Sequence, residues 1–272
     1  VQRYVERFLQ DVRTTAPSPT TPAETHGGFL ILAATLGKRT AELHLALARR
    51  TGDPAFDPEP LRGSDVAAFK QRAADEAAST LDLLRQRLAQ LPASTRDQAQ
   101  TLLAKPERVR TRIMAGENEK PGGLKTRFHG DYHLGQVLVT ANDFVIIDFE
   151  GEPARSLEER RAKSSPLRDV AGMLRSFNYA RWSALERVAL NLEERGRLES
   201  AAREWELATR EAFLAAYRET MALADPAMPV DADLLRLFEL EKAMYELRYE
   251  LNNRINWAQV PLQGILAQID AG

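Results

Sequence analysis

The chain has 272 residues with 37 Lys and Arg against 39 Asp and Glu, and its formal charge of −2 gives no electrostatic argument for nucleic acid or an anionic membrane as a partner. It contains no cysteine, which excludes disulfides and thiolate metal sites, and its 4 histidines lack the spacing of a zinc site. Hydrophobic residues make up 44% and charged residues 28%, an ordinary globular balance, and no apolar run nears the roughly 20 residues that span a bilayer. A cytoplasmic protein is expected. The length allows one large domain or two small ones. The chain opens on Val1 and enters an amphipathic pattern at once, with no signal peptide ahead of it, so it reads as a piece of something longer.

In chain order, the apolar spacing of Val1, Tyr4, Val5, Phe8, Leu9 and Val12 predicts a helix over 1–13. Residues 14–28, rich in Pro, Thr and Gly, read as a loop, and helical periodicity resumes over 29–50. Pro54, Pro58, Pro60 and Gly63 mark an exposed connection over 51–64. Helices are expected at 66–91 and 93–115, the second interrupted near Pro106, followed by a turn over 117–123. Short strands are expected at 125–129, 136–140 and 144–149, with Ala141-Asn142-Asp143 as the turn of a hairpin. After a polar segment over 151–165 the rest reads as helix: 167–180, 184–222 with a break near Gly196, and 233–257. The expected class is α+β and mostly helical.

The chemistry sits in His129-Gly130-Asp131-Tyr132-His133-Leu134-Gly135-Gln136, followed by Ile146-Ile147-Asp148-Phe149-Glu150. An aspartate, an amide five residues on, and a second aspartate closing a hydrophobic strand form the phosphoryl-transfer layout of eukaryotic-like kinases. Moving a γ-phosphoryl group to a hydroxyl needs positioning, charge neutralisation and a destination for the proton. Asp131 is the candidate catalytic residue, accepting that proton or orienting the hydroxyl. Gln136 and Asp148 both offer oxygen to Mg²⁺, which takes hard ligands and few of them from protein. Taken singly, Asp131 could cap a turn and Asp148 end a strand; the joint spacing with His129 and Gln136 favours a kinase site. No glycine-rich nucleotide loop or lysine strand precedes these residues. Gly37-Lys38-Arg39-Thr40 echoes the end of a P-loop, but position 32 is Leu32 and Arg39 follows Lys38, so that motif fails.

Five stretches together resemble the aminoglycoside phosphotransferase and choline kinase superfamily, and within it the maltokinases. They are Leu36 to His44, His129 to Gln136, Asp148 to Pro153, Lys163 to Phe177 and Glu241 to Leu247, and the resemblance runs over nearly the whole chain. Gln136 stands where most relatives have Asn, but glutamine is usual in maltokinases. The resemblance implies the C-terminal, catalytic and acceptor-binding lobe of a eukaryotic-like kinase over 1–272, with a small β-hairpin carrying the two aspartates and the N-terminal nucleotide lobe absent. It implies ATP and Mg²⁺ as cofactors and transfer to the anomeric hydroxyl of maltose, giving maltose 1-phosphate for α-glucan (glycogen) synthesis. A fused trehalose synthase would be the partner. It further implies that Asp169 braces the backbone of the catalytic loop and is no third metal ligand, and that His129 is structural. His133 could pack or line the site.

In the last helix Leu237, Leu240, Met244, Leu247 and Leu251 form a core stripe at helical spacing. Beside it run Glu241, Tyr245, Arg248, Tyr249 and Asn252, extended by Asn253, Arg254 and Trp257. Carboxylates and amides suit sugar hydroxyls, and aromatic faces suit the apolar sides of the ring. The plain alternative is an amphipathic helix with boundary tyrosines and solvated charges. With the resemblance, Glu241, Tyr245, Arg248, Tyr249 and Trp257, together with His133, become the candidate substrate-binding residues. Two other readings stay open: a kinase for an aminoglycoside or choline-like acceptor, and a sugar-binding lobe without catalysis of its own.

Overall fold

The computed structural model describes residues 1–14, 21–116, 122–224 and 228–270. The chain is a mostly helical α+β protein that divides into two compact units: Val1–Glu59 with Leu124–Pro229, and Pro60–Gly123 with Val230–Gly272. Among the described residues no helix is long and apolar enough to cross a membrane.

The first unit is built on four helices: α1 (Gln2–Thr14), α2 (Pro22–Leu47), α7 (Leu167–Val188) and α8 (Leu192–Ala224). Helix α2 starts well before the expected position 29. Thr21 caps it with a reciprocal box, its hydroxyl accepting from Glu24 N–H while the Glu24 carboxylate accepts from Thr21 N–H, and Pro22 supplies a preset first turn. That start signal outweighs the cost of Gly27 and Gly28 inside the helix. Residues 15–20 of the expected loop lie outside the described residues. The expected gap at 181–183 does not exist, and Gly196 lies inside α8; the break falls at 189–191. There Asn191 caps α8 by accepting from Glu194 N–H, and the Glu194 carboxylate accepts from Leu190 N–H.

Helix α1 lays Val5 and Leu9 against Ala180, Ala184, Leu185 and Val188 of α7 and Leu198, Ala202 and Trp205 of α8. Phe177, Phe213 and Tyr217 continue this core, each at most 1% exposed. The close-packed helices carry a hairpin of β3 (Val137–Thr140) and β4 (Asp143–Ile146), preceded in the chain by the two-residue strands β1 (Glu59–Pro60) and β2 (Leu124–Lys125), which pair as a separate small sheet. In the hairpin Val137 faces Ile146 and Thr140 faces Asp143. Strand expectations at 125–129 and 144–149 were too long: pairing after β2 is reduced to the Thr126–Ser164 bridge, and β4 stops before the left-handed Asp148 at φ 66°. The expected polar segment contains a short helix, α6 (Leu157–Arg161), capped by Ser156 and Glu159.

The second unit comprises α3 (Gly63–Arg87), α4 (Ala93–Leu103), α5 (Pro106–Met114), α9 (Ala232–Asn253) and α10 (Gln259–Asp270). The interruption expected near Pro106 is there, with Pro106 opening α5. The turn expected at 117–123 lies mostly outside the described residues. Helix α9 buries Leu237, Leu240, Met244, Leu247 and Leu251, the five residues of the expected core stripe, and Phe238 meets Phe69 of α3 at 5.5 Å between ring centroids. Helix α10 was not expected; Val260, Leu262, Ile265 and Ile269 are buried on it at helical spacing.

Candidate active site

The loop from His129 to Gln136 enters from β2 and ends in a 3-10 turn, Leu134–Gln136, that feeds β3. Its backbone is held from two sides. Asp169, 1% exposed near the start of α7, accepts from His129 N–H at 2.7 Å through Oδ2 and from Gly130 N–H at 3.0 Å through Oδ1. Gly130 has φ +86° and a Cβ there would lie 3.2 Å from Gly151 Cα, so the turn requires glycine. The His129 ring, 1% exposed, links the loop to the segment after β4 that leads into the second aspartate: Nε2–H donates to Ile147 O at 2.8 Å. Because a carbonyl only accepts, Nε2 carries the proton, leaving Nδ1 to face Asp131 N–H at 3.4 Å.

At the far end of the hairpin Gln136 Nε2 donates to Asp148 Oδ2 at 2.7 Å. Two side chains nominated from sequence as metal ligands, twelve residues apart, therefore touch. Among the described residues no group of three or more His, Asp and Glu forms a metal site. A carboxylate with one neutral amide suits Mg²⁺, which keeps water and takes its remaining oxygens from phosphates; turning the Gln136 amide over would present its oxygen. Asp148 holds a left-handed backbone, a sparsely populated conformation of the kind found at functional sites. Beside Asp131, His133 Nε2 stands 3.6 Å from Asp131 Oδ2, and its Nδ1 accepts from Gly135 N–H at 3.0 Å, so the ring borders the aspartate while fixing the 3-10 turn.

Sequence reasoning gave no role to the residues behind this loop. His44 on α2, fully buried, donates from Nε2 to Asp169 Oδ2 at 3.2 Å and takes the Tyr217 hydroxyl of α8 on Nδ1 at 2.8 Å. Thr40, one turn earlier on α2, accepts from the Tyr132 hydroxyl at 2.8 Å while donating to Leu36 O. Burial pushes both phenols well above the usual tyrosine range, so Tyr132 and Tyr217 stay hydrogen-bond donors at all working pH values. In the sequence His44 appeared only as the last residue of the Leu36 to His44 stretch, with no role attached to it.

The hairpin tip is tied to the same helix. Arg39 donates from Nε and Nη2 to the two oxygens of Asp143, each at 2.7 Å. That guanidinium, with Phe144 N–H, brings the Asp143 carboxyl down to about 2. A depressed carboxylate stabilises the fold above its ordinary value and loses that contribution as pH falls through about 2. In Arg39→Ala the Asp143 carboxyl carbon should titrate by NMR back toward 3.8, and a titration that stays put would remove Arg39 as the cause.

The candidate sugar residues Glu241, Tyr245, Arg248, Tyr249 and Trp257 all fall in the second unit. Glu241 is buried at 7% exposure, and Arg248 pairs with Glu76 of α3 at 2.9 Å and lies 5.6 Å from the Tyr245 ring centre. Tyr249, 46% exposed, and half-buried Trp257 flank the Arg254 guanidinium at 5.6 and 5.4 Å, and Arg254 is itself paired with buried Glu250. The aromatic faces of this stripe are thus already engaged by cations of their own helix end.

No protein-family model matches the chain. It is 28% identical over 232 residues to a glucosamine kinase of Streptacidiphilus jiangxiensis, covering 85% of this chain and 48% of that protein. It is also 28% identical over 144 residues to a glucosamine kinase of Mycolicibacterium smegmatis, covering 53% of this chain and 34% of that protein. Among solved structures, a glucosamine kinase in complex with glucosamine, ADP and inorganic phosphate matches at TM-score 0.71 and 24% identity over 98% of this chain and 56% of that one. A second crystal form of glucosamine kinase matches at TM-score 0.75 and 24% identity over 100% of this chain and 60% of that one. The fold is that of these kinases. The chain spans about half the length of the first of these curated relatives. The expected membership among maltokinases and aminoglycoside phosphotransferase-like proteins is overturned, because the relatives and structural neighbours are glucosamine kinases. The expected product, maltose 1-phosphate, falls with it, and nothing in the comparisons supports α-glucan synthesis or a fused trehalose synthase. What misled was the weight given to the Lys163–Phe177 and Glu241–Leu247 stretches, which were read as specific to maltokinases, although the relatives found are glucosamine kinases.

Proposed function

We propose that the chain is the catalytic and acceptor-binding part of an ATP-dependent sugar kinase whose acceptor is an amino sugar of the glucosamine class. The observation that carries the chemistry is the Gln136–Asp148 contact at one end of a loop whose other end holds Asp131. The acceptor class is supported by the glucosamine kinases matching 85% and 53% of the chain. In this reading the first unit has the arrangement of the C-terminal lobe of a eukaryotic-like kinase, and the nucleotide is gripped in part by protein outside the chain. Mg²⁺, held by Asp148 and Gln136, would neutralise the phosphate charge. Asp131 would accept the proton of the sugar hydroxyl or orient it, with His133 at its side. Glu241, Tyr245, Arg248, Tyr249 and Trp257 remain proposed sugar contacts, and the cytoplasm, where ATP is made, is the implied compartment.

The test is an ADP-release assay, on the full-length protein that contains this chain, with Mg²⁺ and ATP, offering glucosamine, maltose and choline in turn, paired with calorimetric titration of each acceptor. Glucosamine-dependent ADP release is expected, with none from maltose. Glucosamine binding without turnover would reduce the role to sugar binding. Absence of both would overturn the acceptor class.

A further inference from the structure

We infer that Gly172 and Ser176 of α7 are positioning residues for Asp131, forming with Asp169 a stripe that seats the backbone of residues 129–134. The inference rests on the proposed role of Asp131. The three residues stand at i, i+3 and i+7, one face of the helix. Each meets the loop at its own level. Asp169 takes the N–H groups of His129 and Gly130. A Cβ on Gly172 would lie 2.5 Å from Tyr132 O, so the loop carbonyl rests directly on the helix where only a hydrogen fits. Ser176 Oγ accepts from Leu134 N–H at 3.2 Å while donating to Met173 O at 2.9 Å.

Asp131 lies between the first and second of these seats, and Tyr132 is also gripped at its other end by Thr40. Its depth in the site is therefore set by how closely α7 lets the Tyr132 carbonyl approach. An ordinary contact for an added Cβ begins at 3.4 Å, so Gly172→Ala forces the carbonyl back by nearly 1 Å. A displacement of that size in a reacting group costs about 100-fold in turnover.

The experiment measures amide hydrogen exchange over 129–134, together with kcat, KM and Tm, in the whole chain. The variants are Gly172→Ala, Ser176→Ala and Ser176→Thr, with Leu185→Ala as a control on the same helix but in the core. Expected for Gly172→Ala are exchange at least about tenfold faster in the loop and a kcat lower by about 100-fold, with sugar KM within about twofold. Ser176→Ala should move both in the same direction by less, and Ser176→Thr, which keeps the hydroxyl, should restore them. Leu185→Ala should lower Tm and leave loop exchange and kcat alone. Unchanged loop exchange in both Gly172→Ala and Ser176→Ala would overturn the inference. If Gly172→Ala does not fold, the contrast between Ser176→Ala and Ser176→Thr decides it. An Asp131→Asn variant as active as the parent would remove the proposed chemistry, while loop exchange would still decide whether α7 seats the loop.

Discussion

If the proposed function holds, Asp131→Asn should lower phosphoryl transfer to glucosamine by about 10² to 10⁴, the range that a positioned general base supplies. Asn has nearly the shape of Asp, and the loop does not depend on this side chain for its seat: the His129 and Gly130 N–H groups go to Asp169, and the His129 ring goes to Ile147 O. Tm should therefore hold. Glucosamine affinity should stay within about twofold, because in the proposed role the lost group acts mainly in the transition state. Steady-state kinetics with calorimetry separates the two quantities. Equal turnover in the variant would take Asp131 out of the chemistry, and a large loss of sugar affinity would make it a binding residue.

What could be seen in the sequence followed from what is local. Residues 129–136 and 146–150 are short runs whose residue types and spacing pointed to one site, and Gln136 and Asp148, nominated together from them, do touch. Pro106 marks a helix start wherever it sits in such a pattern. Local composition misled at Gly27 and Gly28, where the Thr21 cap and Pro22 won over glycine's weak helix propensity. Helix α10 was not anticipated, and Pro261 sits in its first turn, where a proline loses no hydrogen bond. His44 and Tyr217 lie 125 residues before Asp169 and 173 residues beyond His44, and no local pattern encodes such pairs.

The acceptor was illegible for a related reason. On α9 the alternation of apolar and polar positions marks the core stripe correctly, but it treats every off-stripe residue alike. Glu241 is buried, Arg248 is committed to Glu76, and Tyr249 is exposed. Pattern cannot sort those three.

Asp169→Ala should be the most destabilising single change in the first unit's loop region. The carboxylate is 1% exposed and accepts from two backbone N–H groups and from His44 Nε2. Truncation leaves two buried donors and one half-buried donor, the Gly130 N–H, without this acceptor; each buried donor costs about 1–3 kcal/mol, so about 3 kcal/mol should be lost in all. For a unit of this size that lowers Tm by about 10 °C, read by thermal melting. Asp169→Asn keeps one oxygen in place but turns an NH₂ toward one of the other donors, so it should fall between wild type and Ala. A variant Asp169→Ala that melts with the parent would mean that the loop finds other acceptors. The pairing with Asp131→Asn is what gives the result its meaning: Asp131→Asn should lose turnover at full stability, and Asp169→Ala should lose both. Only a residue that holds the loop without touching the reacting atoms has the second signature.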